Sequence, residues 1–355
     1  MKNPGFAGNL LRELNAVEPE IRKRIQRPGG LTEQELVSLT IRPDADPALY
    51  HPDQASEGNV SQWDSVTTSD ELRGEQAIAN GEVAFVLLAG GAGTCFGEPK
   101  LFARIPGLGL SLLGWKLLQA GNMPVWIMTQ PQMAQQIQRH ISTLALPLGM
   151  NGCVFDQFEG FRLTPDNRLS MVNGLPELYP LGHGDVGPAL VESKVLDDNP
   201  NVKYVYVCNV DNIMASPHAG IIGRHIRTAV SVTCEVVERQ KGDRGGVVAW
   251  VNNHLQIAED FRLPVGFADE AKYHNTNTML INADVLRWPI PWRWHRVRKY
   301  IDNRIVIQYE RLLQQYTEEC SNDFIVVPRE ARFHPVRTQE DLERTGKFLE
   351  TYRFQ

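Results

Sequence analysis

Between Pro4 and Val37 the apolar residues Leu10, Leu11, Leu14, Val17, Ile21 and Ile25 recur at mixed three- and four-residue spacings, which line one stripe of a helix. Pro28-Gly29-Gly30 breaks the pattern. Thr32 followed by Glu35 predicts a capping box that restarts a short helix over LTEQELVSL. From Arg42 to Thr68 no period survives among Pro, Asp, Ser and Gln, so the segment reads as a long ordered loop laid over the main body. Ser69 is placed to cap a further helix ending near Gly81.

At Val83 the pattern changes. VAFVLLAGG is a continuous apolar run closed by glycines, as expected of a strand buried on both faces of a parallel sheet. Similar runs follow at VWIMT (125–129), YVYVCNVDN (204–212) and SVTCEVVE (231–238), with helical stretches at Gln132 to Leu144 and Pro188 to Leu196 between them. Strands alternating with helices predict βαβ units, and hence a mixed, mainly parallel α/β sheet with helices on both faces. Arg304 to Gln315 is amphipathic, and FIVVP (324–328) adds a strand. The expected organisation is a helical N-terminal arm over 1–80, a catalytic domain with a ligand-binding subdomain over 81–315, and a short C-terminal element over 316–355.

Composition narrows the function. The 355 residues are 42% hydrophobic and 22% charged, an ordinary globular balance. A net charge of −6 lacks the cationic bias that sequence-independent binding of nucleic acid requires. The odd, scattered cysteines, Cys95, Cys153, Cys208, Cys234 and Cys320, contain no C-x-x-C pair, which argues against a disulfide framework or thiolate zinc site and for a reducing compartment. No window approaches a membrane span and the N-terminus has no secretory apolar core, so a soluble cytoplasmic protein with no membrane partner is expected.

Candidate chemistry collects at strand ends. In LAGGAGTCFGEPK a buried strand opens into Gly90, Gly91, Gly93 and Gly97, where main-chain amides can approach an anion, and Lys100 follows. The spacing matches neither a Walker loop nor a dinucleotide fingerprint; a triphosphate cradle or a plain tight turn remain. Asp211, in CNVDN at the end of an apolar run, suits Mg²⁺ beside phosphates, or it caps the next helix. In PLGHGDVGPAL, glycines flank His183 on an exposed turn, and Asp185 can cap the helix near Pro188; His183 is either a ligand contact or a packed residue. In YHNTNTMLIN, Asn275 and Asn277 share a strand face and offer paired amides to hydroxyl-rich ligands, unless they belong to a turn entering the strand. The stretch RWPIPWRWHRVRKY interleaves Trp288, Trp292 and Trp294 with cations, either a stacking surface for single strands or a hinge with buried indoles and solvated charges.

In this order the segments resemble the eukaryotic-type UTP:glucose-1-phosphate uridylyltransferases and, more broadly, the UDP-sugar pyrophosphorylase superfamily. The resemblance runs from Val83 to Glu343. It includes LAGGAGTCFGEPK, PVWIMT, VFDQF, PLGHGDVGPAL, VCNVDN, ERQKGDRGGVVAW, IAEDFRLP, YHNTNTMLIN, VIQYERLL and VPREARFHPVRTQEDL. It implies a Rossmann-like nucleotidyltransferase fold and a Mg²⁺-dependent joining of UTP and glucose-1-phosphate. Leu88, Ala89, Gly90, Gly91, Gly93 and Thr94 would lie against the nucleotide, Lys100 would contact the triphosphate, and Met128, Gln157 and Gly182 would border the base, with Gln157 bonding a uracil edge. His183 would meet the sugar phosphate, Asn209, Glu259, Asn275 and Asn277 would hold the sugar with Gly246 close by, and Asp211 would bind Mg²⁺.

Departures from the family pattern are also present. The loop reads G-T-C-F, where the N-acetylhexosamine branch has G-T-R-L, so Cys95 points to the glucose branch. FHPVR places Arg337 where the family has a phosphate-binding Lys, exchanging a compact ammonium for a planar fork. The C-terminal β-helix of the glucose branch is expected to be missing. The reaction implied is attack by a sugar-1-phosphate oxygen on an α-phosphorus, with Lys100, Arg337 and Mg²⁺ on Asp211 neutralising charge and the cysteines structural. Another base or a modified sugar or cyclitol phosphate is the alternative substrate set, and a non-catalytic nucleotide-sugar binding protein is the alternative function. The oligomeric state is open.

Overall fold

The structure, a computed structural model, describes residues 5–41, 50–90, 99–144 and 152–352. The N-terminal stripe folds as two helices, α1 (Gly5–Ala16) and α2 (Pro19–Ile25), because Pro19 begins a new helix where the pattern alone runs on. Leu10, Leu14, Val17 and Ile25 are buried, whereas Leu11 faces outward. The expected capping box forms at α3 (Glu33–Ile41): Thr32 N donates to Glu35 Oε2 and Glu35 N to Thr32 Oγ1.

The stretch read as loop supplies two short strands, β1 (Pro52–Gln54) and β2 (Ser61–Gln62), before α4 (Thr68–Ala79). The cap of α4 is Thr67 rather than Ser69: Thr67 Oγ1 accepts from Asp70 N, and Asp70 returns a carboxylate to Thr67 N. The expected strands follow as β3 (Val83–Leu88) and β4 (Val125–Thr129), with α5 (Leu112–Ala120) between them, then α6 (Pro131–Thr143) and β5 (Gly152–Asp156). Short ribbons β6 (Glu159–Phe161), β7 (Met171–Val172), β8 (Leu175–Pro176) and β9 (Leu178–Pro180) lead to α7 (Val186–Glu192) and α8 (Val195–Asp198). These two replace the single helix expected over 188–196, because Lys194 between them sits in the left-handed region at φ +61°.

The second half contributes β10 (Tyr204–Asn209), α9 (Ala219–Thr228), β11 (Val232–Glu238), β12 (Val247–Val251), β13 (His254–Ala258), β14 (Tyr273–Asn282), β15 (His295–Ile301), β16 (Arg304–Glu310) and β17 (Asn322–Val326). The amphipathic 304–315 stretch is therefore largely a strand, β16, hairpinned onto β15. The main sheet runs β2-β17-β11-β14-β10-β3-β4-β5. β14 is antiparallel to both neighbours and the other pairings along this path are parallel, as the mixed, mainly parallel reading requires.

Two-sided burial of the central strands explains their unbroken apolar runs. On β3, Ala84, Val86 and Leu88 enter one core with the N-terminal helices, while Val83, Phe85 and Leu87 enter a second core with Leu113 and Leu117 of α5 and Ile137 of α6. β10 divides likewise, with Val205 and Val207 on one face and Tyr206 and Cys208 on the other. The parallel strands β3, β4 and β10 consequently end together, and Gly90, Gln130 and Asp211 follow those ends. Open α/β sheets bind ligands at such carboxyl ends. Among the described residues no helix is long and apolar enough to cross a membrane.

Candidate active site

A cleft of about 310 Å³ opens at these strand ends. It is lined by Leu88 at the end of β3 and Ala89 and Gly90 after it, Met128 of β4, Gln157 after β5, Gly182 and His183 before α7, and Asn209 and Asp211 at the end of β10. Lys100 closes it from the loop after β3. Sequence reasoning missed four further lining residues, Leu101, Pro180, Val210 and Glu310; Glu310 lay within VIQYERLL, where nothing local marked its side chain. Gly91, Gly93, Thr94 and Cys95 lie outside the described residues.

Backbone contacts pack the nucleotide-facing half closely. A Cβ on Gly90 would stand 2.1 Å from Gln157 Oε1, so a larger residue here would have to displace the end of the Gln157 side chain. Gln157 N donates to Thr129 O at 2.7 Å, and its Nε2 donates to Gly182 O at 2.6 Å. Gly182 itself has φ +108°, and a Cβ there would meet Arg311 O at 2.3 Å. These contacts leave the Gln157 amide with its oxygen toward Gly90 and its nitrogen engaged.

Asp185 does not cap α7, because its side chain turns into the core. It is fully buried, Oδ1 accepts from Arg311 Nε at 2.5 Å, and Oδ2 accepts from Phe158 N at 3.2 Å. Burial pushes its carboxyl up to about 6 against the pull of Arg311. The Arg311 guanidinium also lies 5.1 Å and 5.3 Å from the Trp294 and Trp292 ring centres, so two of the three indoles in the Trp/Arg stretch pack half-buried against the core. Trp288 stays exposed, while Arg287 pairs with Asp197 and Arg293 with Glu318. The segment after β16 therefore organises the His183 turn: Arg311 N donates to Leu181 O, Gly184 N to Arg311 O, and Leu313 N to His183 Nδ1 at 2.9 Å. Burial lowers the His183 pKa to about 4, so the ring is neutral at pH 7. Since Nδ1 accepts, Nε2 carries the proton and is a neutral donor.

Asp211 Oδ2 and Lys100 Nζ are 2.8 Å apart at the cleft mouth, a pairing of the two residues expected to handle metal and triphosphate. Asp211 caps no helix; α9 is capped by His218, whose Nδ1 accepts from Gly220 N. The chain around Arg337 runs beside Asp211, with Val336 N donating to Asp211 O and His334 N to Asn212 Oδ1, both at 2.9 Å. The Arg337 side chain is exposed and does not line the cleft. Among the described residues no group of three or more His, Cys, Asp or Glu side chains is arranged to hold a metal. A single carboxylate fits Mg²⁺ shared with a substrate's phosphate oxygens, the usual Mg²⁺ arrangement, and does not fit a cage made of protein alone.

The other expected ligand residues form a chain of contacts leading from the cleft. Asn277 Nδ2 donates to Asn209 Oδ1 and Asn277 N to Asn275 Oδ1, both at 2.9 Å. Simple alternation does not place these asparagines. The β11–β14 register shifts at Glu235/Val236, and Asn277 takes φ +57°, so a bulge re-aims it. Asn275 N donates to Gly246 O, and a Cβ on Gly246 would stand 2.8 Å from Glu259 Oε1. Glu259 Oε1 accepts from Gln314 Nε2 at 2.5 Å, and burial raises its carboxyl to about 7. Asn277 Oδ1 and Gln314 Oε1 are buried with no hydrogen-bond partner among the described residues, and of this chain of contacts only Asn209 lines the cleft.

Comparison with known proteins is consistent with this architecture. The family model for UTP–glucose-1-phosphate uridylyltransferase matches residues 51–345. A probable UTP–glucose-1-phosphate uridylyltransferase of Schizosaccharomyces pombe is 28% identical over 189 residues, 48% of this chain and 37% of the relative. The corresponding enzyme of Encephalitozoon cuniculi is 25% identical over 205 residues, 53% of this chain and 42% of the relative. The match thus spans less than half the length of these relatives. Among solved structures, a UDP-glucose pyrophosphorylase mutant of Leishmania major in complex with UDP-glucose superposes with a TM-score of 0.74 at 19% identity, over 95% of this chain and 78% of that one. The Trypanosoma brucei UDP-N-acetylglucosamine pyrophosphorylase gives 0.73 at 18% identity, over 96% and 82% of the two chains. At such identities the superpositions establish a shared fold. With most of its length matched by the family model, the chain belongs to the UTP–glucose-1-phosphate uridylyltransferase family.

Proposed function

We propose that this protein joins UTP to glucose-1-phosphate with the help of Mg²⁺, giving UDP-glucose and pyrophosphate. The observation that carries the reading is the convergence, in a chain of this family, of Gly90, Gln157, His183, Lys100 and Asp211 on one cleft at the ends of β3, β4 and β10. A phosphate oxygen of the sugar-1-phosphate, ionised at neutral pH, attacks the α-phosphorus, and the bond to the β-phosphate oxygen breaks. Both reactants are anions, so alignment and charge neutralisation matter more than a nucleophile or base supplied by protein.

Lys100 supplies a cation at the cleft mouth, and Arg337 follows the segment laced to Asp211. Gln157 offers an acceptor to the base. The neutral His183 offers Nε2–H to the sugar phosphate. Asn209 on the cleft wall, with Asn277 bonded to it and Glu259 farther along the same chain of contacts, would meet the sugar hydroxyls. Mg²⁺, held by Asp211 together with the phosphates, would screen their charge.

A pyrophosphate-release screen of four nucleoside triphosphates against a panel of sugar-1-phosphates, with and without Mg²⁺, tests the reading. The expected result is turnover with UTP and glucose-1-phosphate that needs the metal and is lost in Asp211→Ala. Turnover with another pair would shift the substrate to a different base, sugar or cyclitol phosphate. UTP binding without release of pyrophosphate from any pair would make the protein a binding module.

A further inference from the structure

Lys116 is completely buried, although lysine is almost never buried without a partner. It lies on α5 among Leu112, Leu113, Leu117 and Ala120, where an apolar residue would fill the space. Its ammonium donates to two backbone carbonyls, Asn212 O and Ala215 O, which bracket the turn directly after Asp211. Two neighbours on the same helix reach the same turn: Trp115 Nε1 donates to Ile213 O at 2.9 Å and Gln119 Nε2 to the same oxygen at 2.8 Å. From the far side, Asn212 Nδ2 donates to Arg332 O, and Val336 N donates to Asp211 O. Within the turn Ala215 N donates to Asn212 O, and side chains of α5 add donors to the carbonyls of Asn212, Ile213 and Ala215. Burial draws the Lys116 pKa down to about 8, a measure of the cost at which this cation is kept in the core.

We infer that Lys116 is a positioning residue for the Asp211 carboxylate, tying down the turn behind it and fixing a positive charge beneath the phosphate-facing end of β10. The catalytic part of this inference rests on the proposed function; the structural part does not. A hydroxyl or an indole could satisfy one carbonyl, and a side-chain amide two without any charge. The ammonium spans two and adds a charge of the sign that phosphates entering the cleft require.

The test compares Lys116→Met with the wild type and with Leu117→Ala, a core truncation on the same helix outside the cleft. Amide hydrogen exchange should rise at least tenfold over residues 210–216 in Lys116→Met, with β14 unchanged. Leu117→Ala should not single out that turn. In pyrophosphate release, Lys116→Met should lower kcat at least thirtyfold while the KM for UTP moves less than threefold, and it should raise the Mg²⁺ concentration giving half-maximal rate at least fivefold. Leu117→Ala should retain both values within threefold even if it melts earlier. Unchanged exchange over 210–216 in folded Lys116→Met overturns the inference whatever the activity, and altered exchange with unchanged kcat and metal dependence overturns its catalytic part. A wild type that exchanges as expected yet turns over no substrate pair refutes the proposed function instead. Should Lys116→Met not fold, Gln119→Leu removes one neighbouring donor to the same turn. It should show the same selective exchange and at least a threefold loss of kcat; wild-type values in both would overturn the inference.

Discussion

The amide of Gln157 has its orientation assigned by its neighbours rather than by a ligand. Nε2 is committed to Gly182 O, so the atom presented beside Gly90 is Oε1, an acceptor. An acceptor at that point matches a base whose ring nitrogen carries a proton, as uracil N3 does, and opposes cytosine, whose N3 is itself an acceptor. In a desolvated cleft such a mismatch leaves two acceptors facing each other and costs about 1–3 kcal/mol. Gln157→Ala is therefore expected to reduce the UTP-over-CTP preference in kcat/KM by roughly ten- to a hundredfold, chiefly through loss of UTP turnover. Steady-state pyrophosphate release with each nucleotide measures this, and an unchanged ratio would remove Gln157 from base recognition. Gly90→Ala attacks the same contact from the other side, because its methyl would overlap Oε1.

At the scale of elements, residues 311–314 connect parts of the site that are remote in sequence. Arg311 neutralises Asp185 behind the His183 turn, Leu313 N orients the imidazole, and Gln314 grips Glu259. Removing one partner of a buried pair leaves the other charge uncompensated, which typically costs about 3–5 kcal/mol. Arg311→Met should cost that much in denaturant unfolding, whereas Arg311→Met with Asp185→Asn should recover a substantial part of it. A double variant no more stable than the single one would mean that Arg311 acts through its stacking on Trp292 and Trp294 instead. Nothing local in VIQYERLL announced this role, since an Arg following a strand looks the same whether it meets solvent or a carboxylate 126 positions earlier. Asp185 was misassigned for the same reason: its local setting, just before a helix, suits a cap, and only the distant Arg311 explains its burial. By contrast, β3, β4 and β10 were legible because two-sided burial writes itself into every residue of a strand, and Asp211 was legible because it ends such a run. The reversal of β14 and its bulge at Asn277 depend on pairing with β10 and β11, which no window along the chain contains.

Taken as a whole, the molecule buries histidines in neutral form, and this sets its response to acid. His274 is 2% exposed and His295 3% exposed, and burial lowers both to about 4. Nearby charges act both ways: Asp243 favours protonation of His274 while Arg239, Arg329 and Arg337 oppose it, and Arg262 and Arg293 oppose that of His295. His183 is lowered as far but stands partly open to the cleft, so it adds less. Unfolding restores each ring to its ordinary value near 6.5. A depressed folded pKa contributes stability that is present above 6.5 and lost as pH falls through 4, because the unfolded chain binds the protons first. Glu259 has the opposite sign: its folded pKa, about 7, lies above the ordinary carboxyl value, so its contribution is present at low pH and lost as pH rises from about 4.5 through 7. Asp185, pushed up to about 6, has the same sign as Glu259, so near pH 5 the histidines outweigh the two carboxyls by less than about one proton, a slope below about 1.4 kcal/mol per pH unit. Calorimetric Tm should therefore rise gently from pH 5 to about pH 7. His295→Gln should flatten this rise, whereas Glu259→Gln should steepen it between pH 4.5 and 7, the window in which its carboxyl opposes the histidines. A His295→Gln variant whose Tm rises as steeply as the wild type's would show that this ring is hydrated in the folded chain, and the burial argument for His183 as a neutral donor would lose its support with it.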